Sequence, residues 1–192
     1  FPTRRSSNLL ELLVRLSAQP AAAGLVAEMP MENVVNHAAA SPALSADLKI
    51  AAWDLRLAGK DKAAREPVIA EFVQAHAAPE QPGALEAARW LNRQREPERA
   101  LQLAQPHMQT DESWFLVGMD ALAMKGAWRE VLARLDPARQ PPLAPAVTEL
   151  FSFRARKQLG EAVDASTVWR DVNTKLTRES PTVQLYVAGY AE

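Results

Sequence analysis

Paired helical segments joined by a single turn residue are the strongest constraint on the fold of this 192-residue chain. Four times in succession, a segment with apolar residues at helical spacing is followed by a turn residue and a second such segment. The turn residues are Gly59, Arg95, Gly126 and Gly160. Small or β-branched residues stand five positions after them, at intervals of 36, 31 and 34 residues: Ala64, Ala100, Val131 and Ala165. Near-constant intervals of roughly 20–50 residues are typical of repeat arrays, so the pattern predicts packed helix pairs.

Strand patterns are almost absent from the sequence. It has no sustained alternation of β-branched residues and no Asn-Gly or Asp-Gly dipeptide of the kind that closes a hairpin. Prolines lie between the helix pairs, where they can end one helix or begin the next. They are Pro42, Pro82, Pro137, Pro141, Pro142 and Pro181. We therefore predict an all-α fold.

Small and large apolar residues also recur at fixed places before the turns. The position seven residues before the turn is alanine in the first two pairs, Ala52 and Ala88. The position four residues before it is leucine in three pairs: Leu55, Leu91 and Leu122. This arrangement resembles the tetratricopeptide repeat, a helix hairpin of about 34 residues. Three residues depart from the family pattern, and they predict looser packing in the last two hairpins: Met119, Phe153 and Arg156.

The resemblance implies a right-handed superhelical α-solenoid acting as a protein-interaction scaffold. Divergent helices are expected over residues 8–40 and the repeats over 41–192. The expected repeat boundaries are 41–78, 79–109, 110–140, 141–180 and an incomplete 181–192. Leu185, Tyr186 and Tyr190 would leave apolar surface on that last repeat, and self-association through it is expected.

The first seven residues, Phe-Pro-Thr-Arg-Arg-Ser-Ser, resemble a translated sequencing adapter. We interpret residues 1–7 as a sequence artefact on a bacterial, metagenomic fragment, and we expect the native N-terminus to be missing. The cytoplasm and the periplasm both stay open as compartments.

Composition narrows the classes of function. The chain has no cysteine and three histidines, and it has neither metal-ligand spacing nor a phosphate-binding glycine loop. The formal net charge of −1 argues against nucleic-acid binding, and the apolar stretches are too short to predict membrane contact. We expect no enzyme activity, no cofactor and no metal.

The first helix of each pair lines the concave groove in the family that this chain resembles. Counting back from the turns places eight candidate partner-binding residues there: Trp53, Arg56, Arg89, Asn92, Arg93, Asp120, Arg154 and Lys157. Five of them are positive and one is negative, which favours an acidic or extended peptide as the partner. We expect Trp53 to be an exposed anchor and the other four tryptophans to be core residues: Trp90, Trp114, Trp128 and Trp169.

Other interpretations stay open. The basic side chains could form an ordinary solvated face. The chain could also be a regulatory or architectural segment of a larger enzyme or envelope-assembly protein whose active domain lies elsewhere. An RNA-binding repeat needs a recurring set of base-reading residues. Trp53, Arg89, Asp120 and Arg154 occupy equivalent places and show no such recurrence.

Overall fold

The structure, a computed structural model, describes residues 31–40, 44–76, 82–181, 183, 184 and 187. Its regular secondary structure is helical, and no strand forms within these ranges, so the predicted all-α class is confirmed. Residues 1–30 lie outside the described residues, as do Leu185, Tyr186 and Tyr190. The chain divides into two compact units, Phe1–Trp90 and Leu91–Glu192.

The N-terminal unit is built from consecutive helices that pack on one another. They are α1 (Met31–Ala40), α2 (Ala46–Leu57), α3 (Lys62–Ala75) and the first part of α4 (Ala84–Arg93). Helix α2 packs against both α1 and α3. Side-chain caps fix where two of these helices begin. The Ser45 hydroxyl accepts a hydrogen bond from the Leu48 N–H at 3.4 Å, and the Asp61 carboxylate accepts one from the Ala64 N–H at 2.9 Å.

The C-terminal unit continues the same plan. After the end of α4 it contains α5 (Pro97–Ala104), α6 (Glu112–Met124), α7 (Trp128–Arg134), a 3₁₀ turn (Pro137–Arg139), α8 (Pro145–Gln158) and α9 (Ala165–Leu176). From α5 to α9, each helix packs against the next one in the chain. Proline occupies the first position of α5 and of α8, where its missing N–H costs no helical hydrogen bond.

Three of the predicted turns close with the same hydrogen bonds. Arg95, Gly126 and Gly160 have left-handed backbones, with φ values of 65°, 69° and 78°. At each turn the residue's N–H bonds to the carbonyl three positions back, and the following N–H bonds to the carbonyl five positions back. This is the Schellman closure, which satisfies carbonyls at the end of a helix. Gly59 is also left-handed, at φ 69°, and the Lys60 N–H after it bonds to the Leu57 carbonyl.

Equivalent positions in the second helices are buried. Eight residues after the N-cap of α3, α5, α7 and α9 stand four core residues: Ile69, Ala104, Leu135 and Val172. Each second helix therefore presents the same face to its neighbours.

The landmark five residues after the turn is right for two pairs and wrong for the other two. Ala100 and Val131 are fully buried, whereas Ala64 and Ala165 are exposed. The cause is the start of the helix. The N-caps Glu96 and Ala127 directly follow their turn residues, but the caps of α3 and α9 come two and four residues after theirs.

Asp164 sets that late start of α9. Its carboxylate accepts hydrogen bonds from the Ser166 N–H and hydroxyl and from the Thr167 hydroxyl, at 2.7–3.0 Å. The bonds from Ser166, followed by those from Thr167, lower the pKa of Asp164 to about 2. A charged cap at this place favours a helix beginning at residue 165.

The first helices follow the predicted register except in α8. Ala52, Ala88 and the three leucines of the pattern are buried. Met119 is fully buried, so the predicted looser packing is wrong at that residue. In α8, Phe153 is only half-buried and Arg156 is exposed, because this helix buries a different set of residues. That set is Ala146, Val147, Leu150, Phe151 and Ala155.

Two of the tryptophan predictions meet different outcomes in the same core. Trp90 is fully buried, as predicted. The other three predicted core tryptophans are only half-buried: Trp114, Trp128 and Trp169.

Replacing Arg95 by glycine should stabilise the protein. A non-glycine residue in the left-handed region costs about 1–2 kcal/mol, and the added unfolded-state entropy of glycine returns part of that gain. We expect Arg95→Gly to raise the free energy of unfolding by about 0.5–1 kcal/mol, measured by urea denaturation. The matched control is Gly160→Ala, where an added Cβ meets no atom within 4 Å, so its loss reports backbone strain alone. A destabilised Arg95→Gly variant would contradict this account of the turn.

Candidate partner-binding surface

The eight predicted surface residues are divided between the two units. Trp53, Arg56 and Arg89 belong to the N-terminal unit. The C-terminal unit holds the other five: Asn92, Arg93, Asp120, Arg154 and Lys157.

Trp53 is a core residue, so its predicted exposure is wrong. Its side chain is 6% exposed and meets the Phe72 ring edge-on, with centroids 5.3 Å apart. Phe72 in turn stacks on Trp90 at 4.0 Å, and the Trp90 indole N–H donates to the Asp54 carboxylate at 2.7 Å. The physical reason is that α1 and α3 both pack against α2. Because α2 is covered by two helices, the side that the sequence pattern left open is buried.

Arg56 is also buried, at 9% exposure, which corrects its predicted place on an open surface. Its guanidinium carbon lies 4.8 Å from the centre of the Trp53 ring. Its Nη2 donates to Glu71 at 2.6 Å and lies 4.0 Å from a carboxylate oxygen of Glu32. The hydrogen bond from Arg56 lowers the pKa of Glu71. Arg56 therefore stabilises this unit through contacts within it.

Arg89 is exposed on α4, in agreement with its predicted exposure. Near the core of the same unit, His76 ends α3 and its ring centroid lies 4.6 Å from that of Phe72. Burial lowers the pKa of His76, so the neutral imidazole is the form that suits this aromatic cluster.

In the C-terminal unit, Asn92 connects α4 to α6. Its Nδ2 donates to the Val117 carbonyl at 2.9 Å. Its Oδ1 is buried and has no hydrogen-bond partner among the residues that the structure describes. Asn92 is half-buried, whereas the next residue, Arg93, is exposed. Arg93 thus presents its charge beside the place where α4 meets α6.

Asp120 and Arg154 form the second part of this surface. Asp120 lies half-buried on α6, and burial raises the pKa of its carboxyl to about 6, a shift that the positive charge of Arg154 partly opposes. The Arg154 guanidinium lies over the Trp128 ring, 5.6 Å from its centroid. Lys157 follows Arg154 by three residues on α8 and is exposed. Residues three apart on a helix share a face, so the two positive charges are neighbours.

These five residues of the C-terminal unit are called the basic surface below. Three exposed cations, Arg93, Arg154 and Lys157, accompany one half-buried acid, and the contact of Asn92 with Val117 falls one helical turn before Asp120 on α6. The arrangement can attract and orient anionic groups through charge and guanidinium hydrogen bonds.

Trp128 is a member of this region that the sequence interpretation assigned to the core. It stands at the start of α7, half-buried, with Arg154 over its ring. Its position directly after the turn, outside the spacing of the other core residues, is the signal that distinguishes it.

Metal-binding and membrane-spanning features were also sought. Among the described residues, no group of three or more histidine, aspartate or glutamate side chains is placed to hold a metal ion. No helix in the described ranges has the length and apolar character to cross a bilayer. The side chain of His37 lies outside the described residues.

Comparisons with protein-family models, with curated proteins and with solved structures find no match for this chain. The tetratricopeptide resemblance and the superhelical solenoid therefore stay predictions from the sequence pattern.

Removing the Arg56 side chain should destabilise the N-terminal unit. Arg56→Ala loses the packing of a buried stem, the ring contact and the hydrogen bond to Glu71, which together predict a loss of about 1–3 kcal/mol. Because Arg56 lowers the pKa of Glu71 below 4.5, the ion-pair part of this stability is present above pH 4.5 and disappears as the pH falls further. Urea denaturation at pH 7 and pH 3.5 measures both effects. The exposed Arg89→Ala variant is the control, and an equal loss there would refute the structural role of Arg56.

Asp120→Asn should stabilise the protein at neutral pH. The folded state raises the carboxyl pKa from 3.8 to about 6, so ionising Asp120 disfavours folding. The stability of the parent therefore falls as the pH rises from about 4 to about 6, relative to a variant that cannot ionise there. We expect the variant to gain on the order of 1–3 kcal/mol at pH 7.5 and almost nothing at pH 4. A difference between the two proteins that does not change with pH would contradict the raised pKa.

Proposed function

We propose that this chain is a non-catalytic protein-interaction segment, and that its basic surface binds an acidic, extended peptide of a partner protein. The observation that carries the proposal is the grouping of Arg93, Arg154 and Lys157, all exposed, on α4 and α8 beside a half-buried acid of α6.

The order of packing supports a display role. From α5 to α9 each helix is held by its chain neighbours, and three turns are closed in the same way. Helices held at both ends present side chains with little loss of conformational freedom on binding. A surface of this kind can therefore bind through fixed contacts without forming any covalent bond.

The chemistry of the side chains favours a carboxylate-rich partner. Arginine forms two parallel hydrogen bonds to a carboxylate, and arginine and tryptophan are enriched among residues that dominate interface energies. Arg154 over the Trp128 ring supplies both groups in one place. Lysine at position 157 adds a third positive charge that attracts an anionic segment before contact.

Charge reversal on the basic surface should abolish binding. The probe is a rhodamine-labelled peptide of about a dozen residues with alternating aspartate and serine, followed by fluorescence anisotropy. We expect Arg93→Glu with Lys157→Glu to weaken binding at least tenfold, and binding by the parent to weaken as added salt shortens the Debye length below about 10 Å.

The matched control is Arg129→Glu with Arg139→Glu. These arginines are also exposed in the C-terminal unit, but they lie on α7 and the 3₁₀ turn, and the change in net charge is the same. The control should retain most of the affinity. Equal weakening by both double variants would mean that net charge alone governs binding, and the basic surface would not be the site.

A further inference from the structure

Asp120 is the only acid among the five residues of the basic surface, and its place in the fold gives it a further role. We propose that Asp120 makes binding of an acidic partner depend on pH, with protonation of its carboxyl strengthening the complex. This inference rests on the proposed function of the same surface and adds its regulation.

The geometry puts Asp120 where its charge acts on both the fold and the ligand. Helix α6 packs against α5 and α7, and the side chain of Asp120 is half-buried on it. Asn92 of α4 contacts α6 one turn earlier, at the Val117 carbonyl, and the charge of Arg154 reaches the carboxyl from α8. A carboxyl with restricted access to water, placed among residues that would receive an anionic ligand, resists ionisation more once that ligand is bound.

The charged groups on the surrounding helices are mostly paired with one another. Glu98 at the start of α5 pairs with Lys125 at 3.4 Å, and Arg99 pairs with Glu96 at 3.1 Å. On α7, Glu130 pairs with Arg134 at 2.9 Å, and Arg129 is exposed. On α8, Glu149 pairs with Lys175 of α9 at 2.7 Å.

Two sets of groups remain to be placed around Asp120. Arg93 of α4 and the last turn of α8, with Arg154, Arg156 and Lys157, supply the positive charges. Of the described residues, Arg154 is the charge whose field acts on the Asp120 pKa. The remaining ring that can titrate in this unit is His107, which stacks on Trp114 at 5.2 Å.

The direction of the effect follows from linkage. The pKa of Asp120 in the free protein is raised to about 6. A bound peptide carboxylate adds negative charge near Asp120, which raises its pKa further, so binding takes up a proton. Affinity therefore rises as the pH falls through about 6. Aspartates of the peptide have an ordinary pKa near 3.9 and stay ionised at pH 5.5.

The test measures the dissociation constant of the rhodamine-labelled aspartate–serine peptide between pH 5.5 and pH 7.5 at constant ionic strength. We expect the parent protein to bind roughly three- to tenfold more tightly at pH 5.5 than at pH 7.5. Asp120→Asn should bind with a constant affinity close to that of the parent at pH 5.5. His107→Gln, which removes the other titrating side chain, should keep the pH dependence of the parent.

A direct measurement accompanies the variants. Carboxyl carbon chemical shifts report the pKa of Asp120 in the parent protein, and saturating peptide should move that pKa upward. If the peptide binds but the affinity or the Asp120 pKa does not respond, the inference is wrong and the proposed function stands. If the peptide binds to no variant at any pH, both the proposed function and this inference are overturned.

Discussion

Each helix of this chain has an apolar face that it can bury only against its neighbours in sequence, and the tight turns decide which neighbours it meets. In the C-terminal unit, every helix from α5 to α9 packs on the next one. Left-handed residues at 95, 126 and 160 reverse the chain within one residue of a satisfied helix end. If these closures were lost, the second helices would no longer present residues such as Leu135 and Val172 to the core.

The same packing decides which charges can serve a partner. Helix α2 is covered by α1 and α3, and its arginine and tryptophan therefore contact each other and Glu71 inside the N-terminal unit. In the C-terminal unit, the cations of α4 and α8 are exposed, and an aspartate lies half-buried among them. A positive side chain near a helix end thus has two different uses, and burial distinguishes between them.

Much of the helical plan was predictable because turn chemistry is local. Glycine at 59, 126 and 160, and Arg95 before Glu96-Pro97, mark left-handed positions correctly. The start of α9 was not predictable from the turn, because Asp164 caps it three residues later than the common spacing. The burial of Trp53 and Arg56 also escaped prediction, since it depends on α1, a helix that carries no recognisable repeat pattern. The partial burial of Asp120 likewise depends on how neighbouring helices pack.

The central claim is that an acidic partner contacts the C-terminal unit at the end of α4, at α6 and at α8. Titrating the unlabelled aspartate–serine peptide into ¹⁵N-labelled protein and recording amide chemical shifts tests this most directly. The account predicts the largest shifts at residues 92–93, around Asp120 and over residues 154–157, with little change in α3. Shifts confined to other helices, or none at saturating peptide, would contradict it.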